Sequence, residues 1–150
     1  MFGKTAIIEV LANQQEAAIS EYGDRYWQAY VKYRDAYLSG PEGGGDDQTE
    51  EDVLIKRYLM SSSVIAAHFH LLGEKEKRDK AAHSCAMLVS QFGYDPVRVL
   101  EQHVMNEQLW VQCMRHEGLT PQRGCGVIAL LVAIVALGVS GVVFWWLLKQ

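Results

Sequence analysis

Little in this chain could tie it together covalently. Its only cysteines are Cys85, Cys113 and Cys125. An odd number with no paired framework excludes a disulfide scaffold, and free thiols suit a reducing compartment. A basic excess is missing too. The formal charge of −4 argues against a general binder of nucleic acid or anionic lipid, both of which select cationic surfaces. Strand signals are absent, which leaves an all-α fold. The one glycine-rich stretch, SGPEGGGDDQ at residues 39–48, carries three acids and no lysine. That composition excludes a phosphate cradle and reads as a flexible polar loop.

A cleavable export signal is also missing. Lys4 could serve as its basic start, but Glu9 interrupts TAIIEVLA and polar NQQE follows at once. At the other end VIALLVAIVALGVSGVVFWWLL, residues 127–148, has no charge and one polar residue, Ser140. At about 1.5 Å per residue it spans roughly 33 Å, enough for a hydrocarbon core of about 30 Å. The sequence therefore predicts a tail-anchored, single-pass layout: a helical part over 1–120, a juxtamembrane linker over 121–126 and a transmembrane helix over 127–148. Arg115 and Arg123 before the span, against Lys149 after it, give a weak positive-inside signal. With no export signal, the helical part is expected in the cytoplasm, on a bacterial inner membrane or a eukaryotic tail-anchored one. Cys125, two residues before the span, could be palmitoylated in a eukaryote or be a small juxtamembrane residue.

The span has its own pattern. Ala129, Ala133, Ala136 and Ser140 recur at intervals of 4, 3 and 4, with Gly126, Gly138 and Gly141 nearby. Such a row of small residues lets helices approach closely and predicts packing on a second span. Trp145 and Trp146 fit the far aromatic belt. No acid, base or histidine interrupts the span, so it offers no haem ligand and no proton relay.

Aromatics concentrate at the opposite end. EYGDRYWQAYVKYRDAY, residues 21–37, contains Tyr22, Tyr26, Tyr30, Tyr33 and Tyr37, five of the chain's 7 tyrosines. Their intervals of 4, 4, 3 and 4 place all five within an arc of roughly 80° on an α-helix. Ile8, Leu11 and Ala18 extend the seam, which predicts one long first helix from Thr5 to Leu38, weakened locally at Gly23. Three more helices follow. Thr49 can cap the second, with inner positions Ile55, Tyr58, Leu59, Ser62, Ile65, Ala66 and Phe69 and an end at Gly73. The third opens with EKEKRDK, faces inward through Ala82, Cys85, Leu88, Val89 and Phe92, and ends at Gly93. Asp95-Pro96 starts the fourth, predicted to face inward through Val97, Leu100, Val104, Val111 and Met114 and to stop at Gly118. The expected fold is a four-helix bundle whose long first helix overhangs, with Tyr30, Tyr33 and Tyr37 available to a partner beside the loop.

Candidate chemistry is sparse. Glu107, His103, Glu9 and Glu16 lie near bundle seams, but the Glu-x-x-His pair of a di-iron bundle is absent. His83-x-Cys85 and Cys113-x-x-His116 supply zinc-type donors, yet His83 and Cys85 point about 200° apart on a helix; His68 and His70 share that spacing. No metal site and no cofactor is expected. Arg78-Asp-Lys-Ala-Ala-His83 resembles the R-x4-H motif of HEPN ribonucleases, all-helical proteins that pair two such sites across a dimer. The resemblance covers six residues and implies phosphate stabilisation by Arg78 and proton transfer at a ribose 2′-hydroxyl by His83. Arg98-Val-Leu-Glu-Gln-His103 meets the same pattern. The reading that absorbs most of the sequence is a non-catalytic, tail-anchored adaptor or subunit of a membrane assembly, binding other subunits or itself. The alternative is a membrane-tethered HEPN-like ribonuclease.

Overall fold

Gly23 divides what the periodicity predicts as one helix. The computed structural model describes residues 3–39 and 48–119. There, helix α1 (Lys4–Ser20) ends in a turn, and helix α2 (Asp24–Ser39) begins after it. The amides of Tyr22 and Gly23 bond back to the carbonyls of Ile19 and Ser20 at 3.0 and 3.3 Å, a tightened last turn. Gly23 then takes φ = 120°, a conformation that side chains with a Cβ rarely adopt. Its carbonyl receives the amide of Trp27 at 2.9 Å, which starts α2.

The second helix folds back on the first. In one continuous helix Glu16 and Tyr30 would stand about 21 Å apart; here the Tyr30 hydroxyl donates to Glu16 Oε1 at 3.0 Å. The expected overhang is thus replaced by a helical hairpin, and among the described residues the four expected helices become five. The remaining three are α3 (Glu50–Leu71), α4 (Lys75–Ser90) and α5 (Pro96–Glu117).

Their ends lie where the sequence signals put them. Thr49 and Asp52 form a reciprocal capping box at the start of α3, with Thr49 Oγ1 accepting from the Asp52 amide at 3.1 Å. Asp95 caps α5 by accepting from the Val97 amide at 3.0 Å, with Pro96 in the first turn. Gly73, Gly93 and Gly118 take positive φ after α3, α4 and α5.

Helix α3 is the axis of the bundle. Every residue from Tyr58 to Phe69 is buried, as expected for a helix covered on all sides by the others. Two apolar clusters lie along it. Ile8 and Leu11 of α1 meet Ile55, Leu59, Cys85, Leu88 and Val99 in the first. Ile19, Tyr26 and Tyr30 meet Met60, Val64, Phe69, Trp110 and Met114 in the second. The serine run Ser61, Ser62 and Ser63, wholly buried, adds polar groups to the middle of that axis.

The inner faces of α3 and α4 match expectation; on α5 the expected Val111 and Met114 are buried and Leu100 packs against the first cluster, but the start of the helix departs from it. Val97 is 62 % exposed, while Val99, His103, Asn106, Glu107 and Trp110 are buried. Polar His103 and Glu107 join the core face of α5 because Ser62 of α3 and Arg78 of α4 stand opposite them. Among the described residues no helix is long and apolar enough to cross a membrane. The expected span at 127–148, and Ala129, Ala133, Ala136 and Ser140 within it, lie outside the described residues. So do the linker 121–126 and all of the 39–48 loop except its ends, where Gln48 Nε2 donates to the Leu38 carbonyl at 3.2 Å.

Candidate functional site

The tyrosine stripe separates into a buried half and a half-buried one. Tyr26 accepts a hydrogen bond from Trp110 Nε1 at 3.1 Å and points its own hydroxyl at Met114 Sδ, 3.4 Å away. Tyr30 is 0 % exposed. Burial pushes both phenols well above the usual range, so they remain neutral donors. Tyr22 sits in the turn, its ring stacked on His68 at 3.9 Å and 5°. Tyr33 meets Trp110 edge-on at 5.7 Å. Tyr33 and Tyr37 are both half-buried against the rim of the second cluster. Of the three candidate partner-binding tyrosines, Tyr30 therefore belongs to the core; Tyr33 and Tyr37 retain accessible surface.

Beside Tyr33 lies a groove. Large aromatic side chains bridge α2 and α5, and next to them the two helices leave a cavity of about 370 Å³. Ala29, Tyr33 and Ala36 line it from α2 and Cys113 from α5, with Arg25, Lys32 and Glu117 also in its walls. Arg25 Nη2 donates to the Glu117 carbonyl at 3.1 Å, tying the start of α2 to the end of α5. The Cys113 thiol is pushed up by burial and by Glu117, against the opposing charge of Lys32.

Two buried carboxylates organise the polar interior in opposite ways. Glu16 accepts from Tyr30, from Arg34 Nη1 at 3.2 Å and from Arg57 Nη2 at 2.8 Å. Burial pushes this carboxyl up, but Arg57, Tyr30 and Arg34 together outweigh it and hold the group below its ordinary range. Glu107 meets Arg78 Nε at 2.7 Å and His70 Nδ1 at 3.7 Å. There burial wins over the single close arginine, and the carboxyl is raised. Ser62 Oγ lies 3.0 Å from His103 Nε2, and burial pushes that imidazole down to about 4. His68 is pushed down to about 4 by burial as well, and neither of its ring nitrogens has a hydrogen-bond partner among the described residues.

Arg78 and His83, the two residues of the ribonuclease-like motif, are not brought together. Five positions along α4 turn them about 140° apart; Arg78 is engaged with Glu107, and His83 is exposed. Of the second match, Arg98 is exposed and His103 is wholly buried. The zinc-type donors are scattered likewise, with Cys85 buried and His83 and His116 exposed. Among the described residues no three His, Cys, Asp or Glu side chains are placed to hold a metal ion.

Sequence reasoning missed the Glu16–Arg34–Arg57 cluster, the Ser62–His103 pair and the groove. A signal existed for the second. Val99, His103, Asn106 and Trp110 repeat at helical spacing, a mixed stripe that a count of apolar residues alone passes over. The chain matches no known protein family, no curated protein and no solved structure.

Proposed function

We propose that this chain is a non-catalytic helical-bundle adaptor, anchored to a membrane through residues 127–148, that presents the exposed side of α2 to a partner subunit. The observation that carries this reading is the division of the tyrosine stripe. Tyr26 and Tyr30 build the core, whereas Tyr33 and Tyr37 stand half-buried at its rim, and Tyr33 also lines the groove between α2 and α5. Aromatic side chains in that position offer apolar area to a partner while their hydroxyls tolerate water beforehand. The small-residue row Ala129, Ala133, Ala136 and Ser140 adds a second contact within the membrane, with another span of the assembly or with a second copy.

Two measurements test it. A photo-crosslinking residue placed at position 37 of the full chain in membranes should capture one defined partner, and the same residue at exposed position 83 should not. Carbonate at high pH should leave the chain in the membrane fraction. Release by carbonate, or equal and diffuse crosslinking from both positions, would overturn the proposal.

A further inference from the structure

We infer that the groove between α2 and α5 is a docking site for an acidic amphipathic helix of a partner protein. This inference rests on the adaptor reading above and names the chemistry of the partner.

The shape comes from the sequence of α2. Arg25, Ala29, Lys32, Tyr33 and Ala36 follow one another at intervals of 4, 3, 1 and 3, which is one face of a helix. Ala29 and Ala36 lie seven residues apart, two turns, and their small side chains form a floor that a facing helix can approach closely. Tyr33 and Cys113 extend the apolar part of that floor. From Arg25 to Ala36 the wall is about 17 Å long, three turns of helix. The mode is that of an amphipathic helix laid into a groove with anchors at i, i+3, i+4 and i+7.

The charge selects the partner. Arg25 and Lys32 also lie seven residues apart, on the same side of α2, and Glu117 is the one acid in the groove wall. The groove is thus locally positive on a chain whose net charge is −4. Arg25 keeps its place through the Glu117 carbonyl, so its charge is held at the groove mouth rather than swept through solvent. A helix with leucines on one face and glutamates at seven-residue spacing beside them meets floor and rim together. A basic helix meets like charge, and electrostatic complementarity of this kind sets partner choice more than raw affinity.

The test uses the full chain in nanodiscs of neutral lipid, isotope-labelled for NMR, and two synthetic amphipathic helical peptides. Both peptides carry the same leucine face, one flanked by glutamates and the other by lysines. The glutamate peptide should bind and shift the amide signals of Ala29, Lys32, Ala36 and Cys113. Lys32→Glu should weaken it about tenfold or more and improve binding of the lysine peptide. Ala36→Trp should block the groove; Ala36 is exposed, so its bulk enters no core contact. Equal binding of both peptides, or insensitivity to Ala36→Trp, overturns the inference. So do shifts at the same amides caused by phosphatidylserine nanodiscs, or by raised protein concentration, without peptide. Should a partner crosslinked at position 37 survive Lys32→Glu and Ala36→Trp undiminished, the groove assignment fails and the adaptor reading stands.

Discussion

The Tyr30 hydroxyl and the Glu16 carboxylate meet at 3.0 Å across 14 residues of chain, and that contact fastens the α1–α2 hairpin. Three donors converge on Glu16, two of them guanidinium groups held at 20 and 21 % side-chain exposure. Removing the carboxylate charge leaves those guanidiniums facing a neutral group in a partly dry site. Glu16→Gln should therefore cost about 2 kcal/mol, within the range for hydrogen bonds to charged groups. Tyr30→Phe should cost about 1 kcal/mol, because the arginines still satisfy Glu16 and the ring volume is kept. Denaturant titration of the full chain in detergent, followed by near-ultraviolet circular dichroism, checks the order. A larger loss for Tyr30→Phe than for Glu16→Gln would show that the hydroxyl, not the charge, closes the hairpin.

Gly23 supplies the turn that makes this contact reachable. A Cβ at Gly23 meets no atom within 4 Å, so space is not the constraint; the φ of 120° is. Gly23→Ala should destabilise the chain by more than about 1 kcal/mol through backbone strain alone. In a continuous helix the same change would stabilise by about 1 kcal/mol, since alanine is the better helix former. The sign of the change in melting temperature separates the hairpin from a straight helix.

The glycine and N-cap signals around α3, α4 and α5 were legible because each rests on local chemistry: Thr49 and Asp95 as caps, Pro96 in a first turn, Gly73, Gly93 and Gly118 past the ends. The turn at Gly23 was not, because Tyr22 and Tyr26 carry the apolar period straight across it. A single glycine costs a helix about 1 kcal/mol, too little to decide against five aromatics in register. What decides is tertiary: Glu16 and Trp110 reward the folded-back helix with partners that no local pattern displays. The polar part of the α5 core face has the same origin. His103 and Glu107 are buried because Ser62 and Arg78 stand opposite them, a pairing of groups from different helices. The groove depends on how far Trp110 and its tyrosine neighbours hold two helices apart, which no spacing in either helix encodes.

Truncations along the tyrosine stripe should fall into two classes. Tyr26 is 3 % exposed and bonded to Trp110, so Tyr26→Ala should cost about 3–5 kcal/mol, as for other buried aromatics. Tyr33→Ala and Tyr37→Ala should cost about 1–2 kcal/mol each, because only part of each ring leaves water on folding. On the proposed function the second pair should nevertheless lose partner capture. Melting curves and crosslinking yields on the same variants decide it. Binding lost only in proportion to stability would return Tyr33 and Tyr37 to a purely structural role.

The buried histidines give the bundle a defined response to acid. His68 and His103 are both pushed down to about 4 by burial, from an ordinary value near 6.5. Between those limits the unfolded chain binds protons that the folded one does not, so stability rises with pH. Each imidazole contributes a slope of about 1.4 kcal/mol per pH unit in that window. Glu107, whose carboxyl is raised, acts in the opposite sense just above its ordinary value, while Glu16, whose carboxyl is lowered, reinforces the loss below about pH 4.5. The fold should therefore be most stable above pH 6.5 and weaken steadily from there to pH 5. The two histidines differ in what replaces them. His103 has Ser62 as a partner at 3.0 Å, so His103→Phe leaves that buried hydroxyl only its longer bond to the Ala81 carbonyl at 3.4 Å and costs stability at every pH. His68 has no hydrogen-bond partner among the described residues and stacks face to face on Tyr22. His68→Phe keeps the stack and removes an unsatisfied polar group. It should raise stability at pH 7 by about 1 kcal/mol and roughly halve the slope between pH 6.5 and 5. Denaturant midpoints at pH 7, 6 and 5 for the wild-type chain and both variants supply the comparison. A destabilised His68→Phe at pH 7, or one with an unchanged slope, would mean that His68 is charged or hydrogen-bonded in the folded state.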